Sequence, residues 1–467
     1  MCTRGHFCHK KIWIFDHYRA NFFCAHIPNI FRALFQNCWT GFRLSTATGE
    51  QQYIKASAKY FAVSLSGGGG PVAICSVDQP GRFEPGTSPV LGGHSGNVLD
   101  FDWNPFDDSM IATGSEDCSI KLWSIPDDWA PIDSSGSAKS GTNLDASKCE
   151  VELTGHRKKV TLVRFHPTAS FVLASASADM TLKVWDVESG EEVSTCEAHG
   201  DLIHDFVWDH KGENIASSCK DKNVRIINPR TGEVTATIEK AHDGSKSVKI
   251  CFVGDDSSHL ITVGFNKQSS REIKLWNISD LSKPVEILKL DSASGAFIPL
   301  YDYDTKVLYM AGKGDGNIRY YEIDVEASKA PYIHALSEYR STKPGKGYCV
   351  LPKRGLNIME CETARIMKLT PGAIEPLSFT VPRKSDAFQD DIFPDTNSLT
   401  PAHSAEEWIA GSAKEAVKTS LNPKLAKNNN SAGSGMKKPT SVKMQLAEAN
   451  ARIKFLEEKL KEANIEF

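Results

Sequence analysis

The chain has 467 residues, of which 40% are hydrophobic and 24% are charged, and its formal net charge is −4. These proportions are typical of an ordinary soluble globular protein, and no run of 18 apolar residues is present to suggest a membrane span. The length exceeds that of one small domain, so internal repeats are the first feature to examine.

The first 30 residues form an atypical leader that is rich in Cys and His. Its apolar run is interrupted by Asp16 and Arg19, which argues against a secretory signal. Its Cys and His lack the short, regular pairs of a zinc site, so we expect no metal and interpret residues 1–30 as disordered or as a mis-assigned start. The twelve Cys of the chain include no CxxC pair, which favours reduced thiols in a cytosolic protein. The leader's potential ligands are Cys2, His6, Cys8, His9, Cys24 and His26.

A repeated pattern fills the middle of the chain. Three His residues are each followed nine residues later by an aromatic residue, then by an Asp in a tight turn, and six residues after that Asp by a Trp or an Ile. The spacing from His156 to His199, and again from His199 to His242, is 43 residues. In order, the sets are His94, Trp103, Asp117 and Trp123; His156, Phe165, Asp179 and Trp185; His199, Trp208, Asp221 and Ile227.

This pattern resembles the WD repeat, in which four short strands form one blade of a β-propeller. The resemblance implies that a His, a Ser, the turn Asp and the Trp of a blade form a hydrogen-bonded tetrad. Because the His and Asp recur once per blade, we interpret them as structural and not as a catalytic pair. The implied tetrads are His94, Ser115, Asp117 and Trp123 in one blade and His156, Ser177, Asp179 and Trp185 in the next.

Weaker repeats flank the clear ones. "LITVGFNKQSSREIKLWNI" and "VLYMAGKGDGNIRYYEI" follow them, and strand-like runs occur both before and after. The "GKGDG" stretch lacks the residue order of a phosphate-binding loop and is interpreted as a turn. Together the repeats predict an all-β, seven-bladed WD-repeat β-propeller over residues 31–384, closed by pairing of the first strand with the last blade.

Several stretches outside the general repeat pattern resemble one family, the actin-filament-binding coronins. They include "YIHALSEY", "LPKRGLNI" and "VPRKSDAFQDDIFPDT", and the resemblance runs from about residue 31 to residue 410. It implies a cytoplasmic scaffold at the actin cytoskeleton and cell cortex that binds F-actin. It also implies an association with the actin-related protein complex that nucleates branched filaments. No enzymatic activity and no cofactor are expected.

The resemblance also implies a filament contact early in the first blade. An Arg is implicated there in the family, and the matching position is Arg43 in "WTGFRLSTATGE". A guanidinium suits a carboxylate-rich surface because its planar fork makes paired hydrogen bonds. Lys55 and Lys59 follow nearby in sequence and are expected to add to a basic patch. From the residues alone, a solvated surface Arg is the alternative.

Residues 385–410 are implied by the resemblance to pack beneath the propeller, with Phe388, Phe393 and Trp408 as apolar anchors. Their Asp residues lack the order of a calcium loop, so no metal is expected. Residues 411–441 shift to Asn, Ser, Gly and Lys and are predicted to form a flexible basic linker.

The last segment, residues 442–467, has apolar residues at alternating steps of four and three, which predicts a short α-helical coiled coil. "RIKFLE" fits the pattern associated with short parallel trimers, as found in coronins, with Arg452 and Glu457 pairing between chains. A homotrimer is therefore predicted, and a dimer is the alternative. The residues expected to mediate oligomerisation are Leu446, Arg452, Ile453, Leu456, Glu457 and Leu460.

The sequence thus predicts an oligomeric scaffold that bundles or cross-links actin filaments. The alternative is a general WD-repeat adaptor of another multiprotein complex. An enzyme is not expected, because no nucleophile–base pair, metal set or phosphate loop is recognisable. Nucleic acid binding is not expected either, because the basic linker lacks interleaved aromatic residues.

Overall fold

A computed structural model describes the propeller and the segment that follows it. Residues 1–30, the linker from residue 427 onward and the segment 442–467, with all six residues predicted to mediate oligomerisation, lie outside the described part. None of the described helices has the length and apolar character needed to cross a membrane. The described residues are 38–83, 89–126, 129, 143–145, 148–383 and 387–426.

Seven sheets, each with four antiparallel strands, form the blades of a ring, which confirms the predicted seven-bladed β-propeller. The innermost strand of each blade contacts the innermost strands of both neighbouring blades, so the ring is complete. The strands of the first four blades, from innermost to outermost, are Ile54–Ala56, Tyr60–Ser64, Val72–Ser76 and Val90–Leu91 in blade 1; Val98–Trp103, Met110–Ser115, Ser119–Ser124 and Cys149–Thr154 in blade 2; Val160–Phe165, Val172–Ser177, Leu182–Asp186 and Glu191–Cys196 in blade 3; and Ile203–Trp208, Ile215–Cys219, Val224–Ile227 and Val234–Ile238 in blade 4.

The remaining blades follow the same order. A fifth strand, Asn143–Leu144, runs parallel to the outer strand of blade 1. The strands of the last three blades are Lys249–Val253, His259–Phe265, Arg271–Asn277 and Glu286–Lys289 in blade 5; Phe297–Asp302, Val307–Gly312, Ile318–Ile323 and Ile333–Tyr339 in blade 6; and Gly347–Val350, Glu362–Leu369, Ala373–Thr380 and Trp39–Thr40 in blade 7.

The ring closes through the first described strand of the chain. Trp39 pairs with Ile374 and Thr40 with Ala373 in antiparallel register, so blade 7 takes its outer strand from the N-terminal region, as predicted. Trp39 is buried, and its ring packs edge-on against Phe61 with the ring centroids 5.0 Å apart. The strand Gly81–Arg82 then pairs in parallel beside Trp39–Thr40. The closure pairs backbone groups that would otherwise form an exposed sheet edge.

The blades pack face to face through apolar side chains. One buried cluster joins blades 2 and 3 and includes Ala112, Leu122, Val163 and Leu173. The strands that carry these residues are buried on both faces of their sheets. A single blade could not cover both faces of its own sheet, so the neighbouring blades cover them. Because 24% of the residues are charged and the strands are short, a single blade could not form a hydrophobic core. The blades form this core together when they pack in the ring.

The tetrad of blade 2 contains a hydroxyl that the sequence analysis did not assign. His94 Nδ1 lies 2.9 Å from Asp117 Oδ2, and His94 Nε2 lies 2.8 Å from Thr113 Oγ1. Trp123 Nε1 donates to the same Thr113 oxygen at 2.9 Å. The assignment of Ser115 was wrong, because Ser115 ends its strand at the turn, where its Oγ accepts from the Asp117 backbone. The bridging hydroxyl must lie one pleat deeper, between the His ring and the Trp ring.

Blade 3 repeats this arrangement with Ser175 in place of the predicted Ser177. His156 Nε2 lies 2.7 Å from Ser175 Oγ, to which Trp185 Nε1 donates at 2.8 Å. A carboxylate can only accept, so His156 Nδ1 donates to Asp179 and Nε2 accepts from the hydroxyl. Although burial would raise it, hydrogen bonds from Thr181 and the backbone hold the pKa of Asp179 at about 2.

Substitution of the two serines of blade 3 distinguishes the observed tetrad from the predicted one. Ser175→Ala leaves both His156 Nε2 and Trp185 Nε1 buried without this partner, so we expect the free energy of unfolding to fall by about 1–3 kcal/mol. Ser177→Ala removes only bonds to backbone atoms at the turn and should cost about 1 kcal/mol or less. Urea denaturation of both variants measures the difference. Equal losses would contradict the assignment of Ser175.

Blades 4 and 5 depart from the pattern in opposite ways. In blade 4, Arg225 takes both oxygens of Asp221, at 3.2 and 2.6 Å, and leaves His199 Nδ1 buried with no hydrogen-bond partner. In blade 5, His242 Nδ1 lies 3.0 Å from Glu272 Oε1, a strand residue that replaces the turn Asp. Thr262 and Trp276 complete that tetrad, which could not be recognised from the sequence because the turn of blade 5 contains no Asp.

The two faces of the ring differ. We call the face that carries the tetrad His residues the top face and the opposite one the bottom face. Residues 387–426 cross the bottom face, where Phe393 is buried and its ring lies 5.8 Å from that of Phe388. The elements on this face are the 3₁₀ turns Lys353–Gly355 and Ile358–Glu360, the paired strands Thr396–Asn397 and Lys418–Thr419, and the helices Ala405–Ile409 and Pro423–Ala426.

Trp408 anchors this segment to the bottom face. Its side chain is fully buried, and its ring lies 4.8 Å from the His166 ring and 6.0 Å from the Trp208 ring. The Arg230 guanidinium lies over the Trp408 ring, 4.7 Å from its centroid, and Arg230 Nε donates to the Trp408 carbonyl at 2.8 Å. Ser404 begins the helix with a capping box that it forms with Glu407. Burial lowers the pKa of His166 to about 3, so this ring packs against Trp408 as a neutral imidazole.

The first part of the predicted flexible linker contacts the propeller and the segment before it. Residues 411–426 are attached to the structure and do not form a free tether. Lys418–Thr419 pairs with Thr396–Asn397, and Glu415 lies 3.0 Å from Lys211. Composition alone missed this attachment, because a two-residue strand and one ion pair need no apolar run.

Candidate functional site

A segment of the N-terminal region crosses the top face of the ring. Residues Ser45–Tyr53, which we call the strap, begin on blade 1, where the Ser45 backbone donates to Ser64. Gly347, at the start of the inner strand of blade 7, has no space for a larger residue, because a Cβ there would lie 1.7 Å from the Gln52 carbonyl oxygen. The strap therefore lies directly against the start of that inner strand.

Three lysines from three different blades hold the strap. Lys249 of blade 5 donates to the Glu50 carbonyl at 3.1 Å and pairs with its carboxylate at 2.9 Å. Lys313 of blade 6 donates to the carbonyls of Gly49 and Gln51, both at 3.3 Å. Lys346, which precedes blade 7, donates to the Ser45 carbonyl. The strap thus links blade 1 to the opposite side of the ring across the top opening.

The charged side chains at this opening are partly buried. Burial, reinforced by the neighbouring Lys249, lowers the pKa of Lys313 to about 8. Burial also lowers the pKa of Lys346. The pKa of Glu50 is lowered, since its contacts with Lys249 outweigh the opposing effect of burial. Glu50 is therefore ionised near neutral pH and offsets part of the lysine charge.

Arg43 lies at the edge of this assembly. It is exposed, and its backbone carbonyl accepts from Ser66 at 2.8 Å, next to a bridge between Leu44 and Leu65. Among the residues that the structure describes, no carboxylate lies within ion-pair distance of its guanidinium. The backbone at Arg43 is therefore fixed on the top face while its charge points to solvent.

Lys55 and Lys59 do not join Arg43 in one patch, so that expectation was wrong. Lys55 is only 13% exposed, and its Nζ lies 3.1 Å from Asp100 and 3.5 Å from Asp102 in blade 2. Lys59 is exposed but precedes the strand Tyr60–Ser64, whereas the Arg43 carbonyl accepts from Ser66, two residues beyond the end of that strand. At about 3.4 Å per residue, the two lie roughly 20 Å apart on opposite faces. The two positions are close in sequence but distant in space, because the strand Tyr60–Ser64 crosses the blade between them.

The described residues contain no group of three or more His, Cys, Asp or Glu that could hold a metal ion. Their conspicuous His–carboxylate pairs are enclosed in tetrads, where the second ring nitrogen is already bonded. Nine cysteines are described, all as free thiols. What the top face offers chemically is a rigid, partly cationic surface. The fold and this surface together define a WD-repeat β-propeller protein whose outer faces are available for binding.

Comparisons with known proteins agree with this class. The WD domain, G-beta repeat family matches residues 87–124, 147–186 and 190–228, and a further type of WD40 repeat matches residues 374–416. A domain family of unknown function matches residues 33–82, which include Arg43 and the strap.

Related proteins then specify the family. Human Coronin-2A is 37% identical over 396 residues, which cover 83% of this chain and 72% of that protein. Coronin-A of Dictyostelium discoideum is 36% identical over 387 residues, which cover 83% of this chain and 82% of that protein. The solved WD40 domain of Toxoplasma gondii coronin superimposes with a TM-score of 0.75 at 30% identity and covers 83% of this chain and 96% of that structure. This chain belongs to the coronin family.

Proposed function

We propose that this protein binds actin filaments through its top face, with Arg43 as a direct contact, and cross-links them as an oligomer. Membership of the coronin family supports an association with actin. The observation that carries the choice of surface is Arg43, which is exposed, has no ion-pair partner among the described residues and lies on a backbone fixed next to the strap. A guanidinium in this position can make two parallel hydrogen bonds to a carboxylate of the filament.

The attachment of the strap matters for the strength of this contact. Ordering a flexible loop on binding costs free energy, and a loop already held by three lysines avoids much of that cost. A single contact of this kind is nevertheless weak, because an exposed charge pair contributes only about 0–1 kcal/mol. Filament cross-linking therefore requires more than one ring, and we propose that the predicted coiled coil over residues 442–467 joins three rings, with a dimer as the alternative.

Charge reversal at Arg43 tests the proposed surface. We expect Arg43→Asp to weaken binding in filament co-sedimentation at least tenfold, because a like charge would then face the filament carboxylates. Lys59→Asp is the matched control, since it makes the same change of charge on the bottom side of the same blade and should leave binding nearly unchanged. If Arg43→Asp co-sediments like the unmodified protein, the top face around Arg43 is not the contact.

The family membership also supports a place for this protein in the cytoplasm, at the actin cytoskeleton and the cell cortex. We further propose that the oligomer associates with the branch-nucleating actin-related protein complex through the predicted coiled coil. Affinity capture with the full chain and with a chain ending at Asn430 tests this association. Capture of the complex by both chains alike would exclude the coiled coil as its binding site.

A further inference from the structure

One top-face loop differs sharply from its counterparts in neighbouring blades. The loop between the tetrad His and the inner strand has the same structural task in blades 2, 3 and 4, because its backbone N–H donates to the turn Asp. Because the backbone makes this hydrogen bond, the fold does not require particular side chains at these loop positions. In blade 3 the loop residues are Arg157, Lys158 and Lys159, and all three are exposed.

These three cations have no ionic partner within the described part of the chain. The nearest carboxylate along the hydrogen-bond network, Asp179, is bonded to His156, to Thr181 and to the Arg157 backbone. Three adjacent positive charges repel one another and are compensated only by solvent in the free protein. An anionic partner would relieve this repulsion.

Exposed apolar side chains lie beside the cations. Met180 is 37% exposed at the turn of blade 3, and Leu202 is 40% exposed in the corresponding loop of blade 4. The Lys159 carbonyl accepts from Ala178, two residues before Met180, at 3.0 Å. The Met180 backbone in turn lies next to the His199 ring of blade 4. Among the described residues, Met180 and Leu202 are the large apolar side chains exposed on the top face.

We propose that Arg157, Lys158, Lys159, Met180 and Leu202, the blade 3–4 patch, form a second filament contact that binds an acidic protein surface carrying an apolar side chain. This inference rests on the proposed function and extends it from one residue to a surface. Met and Arg around a small apolar centre are typical of protein interfaces. The patch contains no aromatic residue for stacking on bases, and Asp201 beside Leu202 would oppose a phosphate.

The position of the patch suits a shared binding event with Arg43. Both lie on the top face, Arg43 on blade 1 and the patch on blades 3 and 4. The interblade core makes these blades one rigid body, so both contacts are presented at a fixed distance. Two weak contacts at fixed distance combine their free energies with little further loss of entropy.

Neutralisation of the three cations in the full chain tests the charged part of the patch. We expect the variant Arg157→Gln, Lys158→Gln, Lys159→Gln to bind filaments about tenfold more weakly in co-sedimentation, with a shallower dependence on salt. The control variant Lys283→Gln, Lys289→Gln, Lys329→Gln makes the same change of net charge at exposed positions of blades 5 and 6 and should bind within about twofold of the unmodified protein. Equal losses in the two variants would overturn the proposal, because they would reflect net charge and not a local contact.

The apolar part is tested without any change of charge. Met180→Ser with Leu202→Ser should weaken filament binding about threefold to tenfold, whereas Ile287→Ser, at an exposed site on the outer strand of blade 5, should have no effect. Thermal unfolding verifies that every variant is folded. Vesicles containing phosphatidylserine serve as a second arm. If patch variants lose vesicle binding and keep filament binding, the proposal is overturned, because the patch then binds lipid headgroups and not the filament.

The outcomes separate this inference from the proposed function. If the unmodified protein does not co-sediment with filaments, the proposed function fails and this extension fails with it. If the unmodified protein binds, Arg43→Asp weakens binding and the patch variants bind normally, only the second contact is wrong.

Discussion

Substitution of Trp408 by alanine is expected to lower the free energy of unfolding by about 3–5 kcal/mol. The side chain is fully buried between the His166 and Trp208 rings and the Arg230 guanidinium. Its removal leaves a cavity that the two neighbouring rings and the Arg230 guanidinium cannot refill. The same substitution should release residues 387–426 from the bottom face, which limited proteolysis followed by mass spectrometry would detect as new cleavage after Lys414 or Lys418.

Ile409→Ala is the matched control for this prediction. Ile409 is the next residue of the same helix but is 39% exposed, so its truncation should cost less than about 1 kcal/mol. A comparable loss of stability in both variants would show that the helix matters as a whole and that the Trp408 pocket is not the anchor.

Truncation of the chain after Asn430 is expected to have the largest effect on filament binding. A coiled coil that joins rings makes the second and third contacts intramolecular, with effective concentrations near the millimolar range. The loss of that linkage should weaken apparent filament affinity by about 10²-fold or more and abolish bundling. Analytical ultracentrifugation should show the mass of one chain for the truncated protein and of three chains for the intact one.

Point variants distinguish the effect of the predicted heptad pattern from the effect of the C-terminal segment as such. In the predicted heptad, Leu446, Ile453 and Leu460 occupy the apolar a positions, so Ile453→Asp with Leu460→Asp places charges in the helix interface and should reproduce the truncation. Glu458→Gln changes the f position of the same register, on the side of the helix away from the interface, and should leave the mass and the bundling activity intact. A truncated chain that sediments with the same mass as the intact protein would refute the oligomer proposal, and a mass of two chains would select the dimer.

The architecture could be predicted because blade formation repeats a local pattern. The 43-residue spacing of the His residues and the following turn Asp and Trp recur often enough to locate the clear blades, and the weaker ones flank them. Ring closure by Trp39–Thr40 was predictable because an open ring would leave a sheet edge unpaired.

The sequence could not show how deep in a sheet a side chain lies or towards which side it points. Thr113 and Ser115 both carry hydroxyls on the same face of one strand, and only their depth decides which reaches the His94 ring. Lys55 and Lys59 flank a short turn, yet one enters an ion pair with blade 2 and the other faces solvent. The strap was not predicted at all, since Lys249, Lys313 and Lys346 are distant in sequence. Only the closed ring brings them together.

The closure of the ring has a consequence for how the protein is made. Trp39 leaves the ribosome early, but its partner Ile374 is synthesised more than 300 residues later. At roughly 5–20 residues per second, the first strand waits for tens of seconds with its hydrogen-bonding edge uncovered. A nascent chain released before Ala373–Thr380 is complete would therefore keep an open edge at each end, and one released before Lys346 would also lack an anchor of the strap. Such fragments would be natural clients for chaperones and proteases, so translation itself would screen against partial rings.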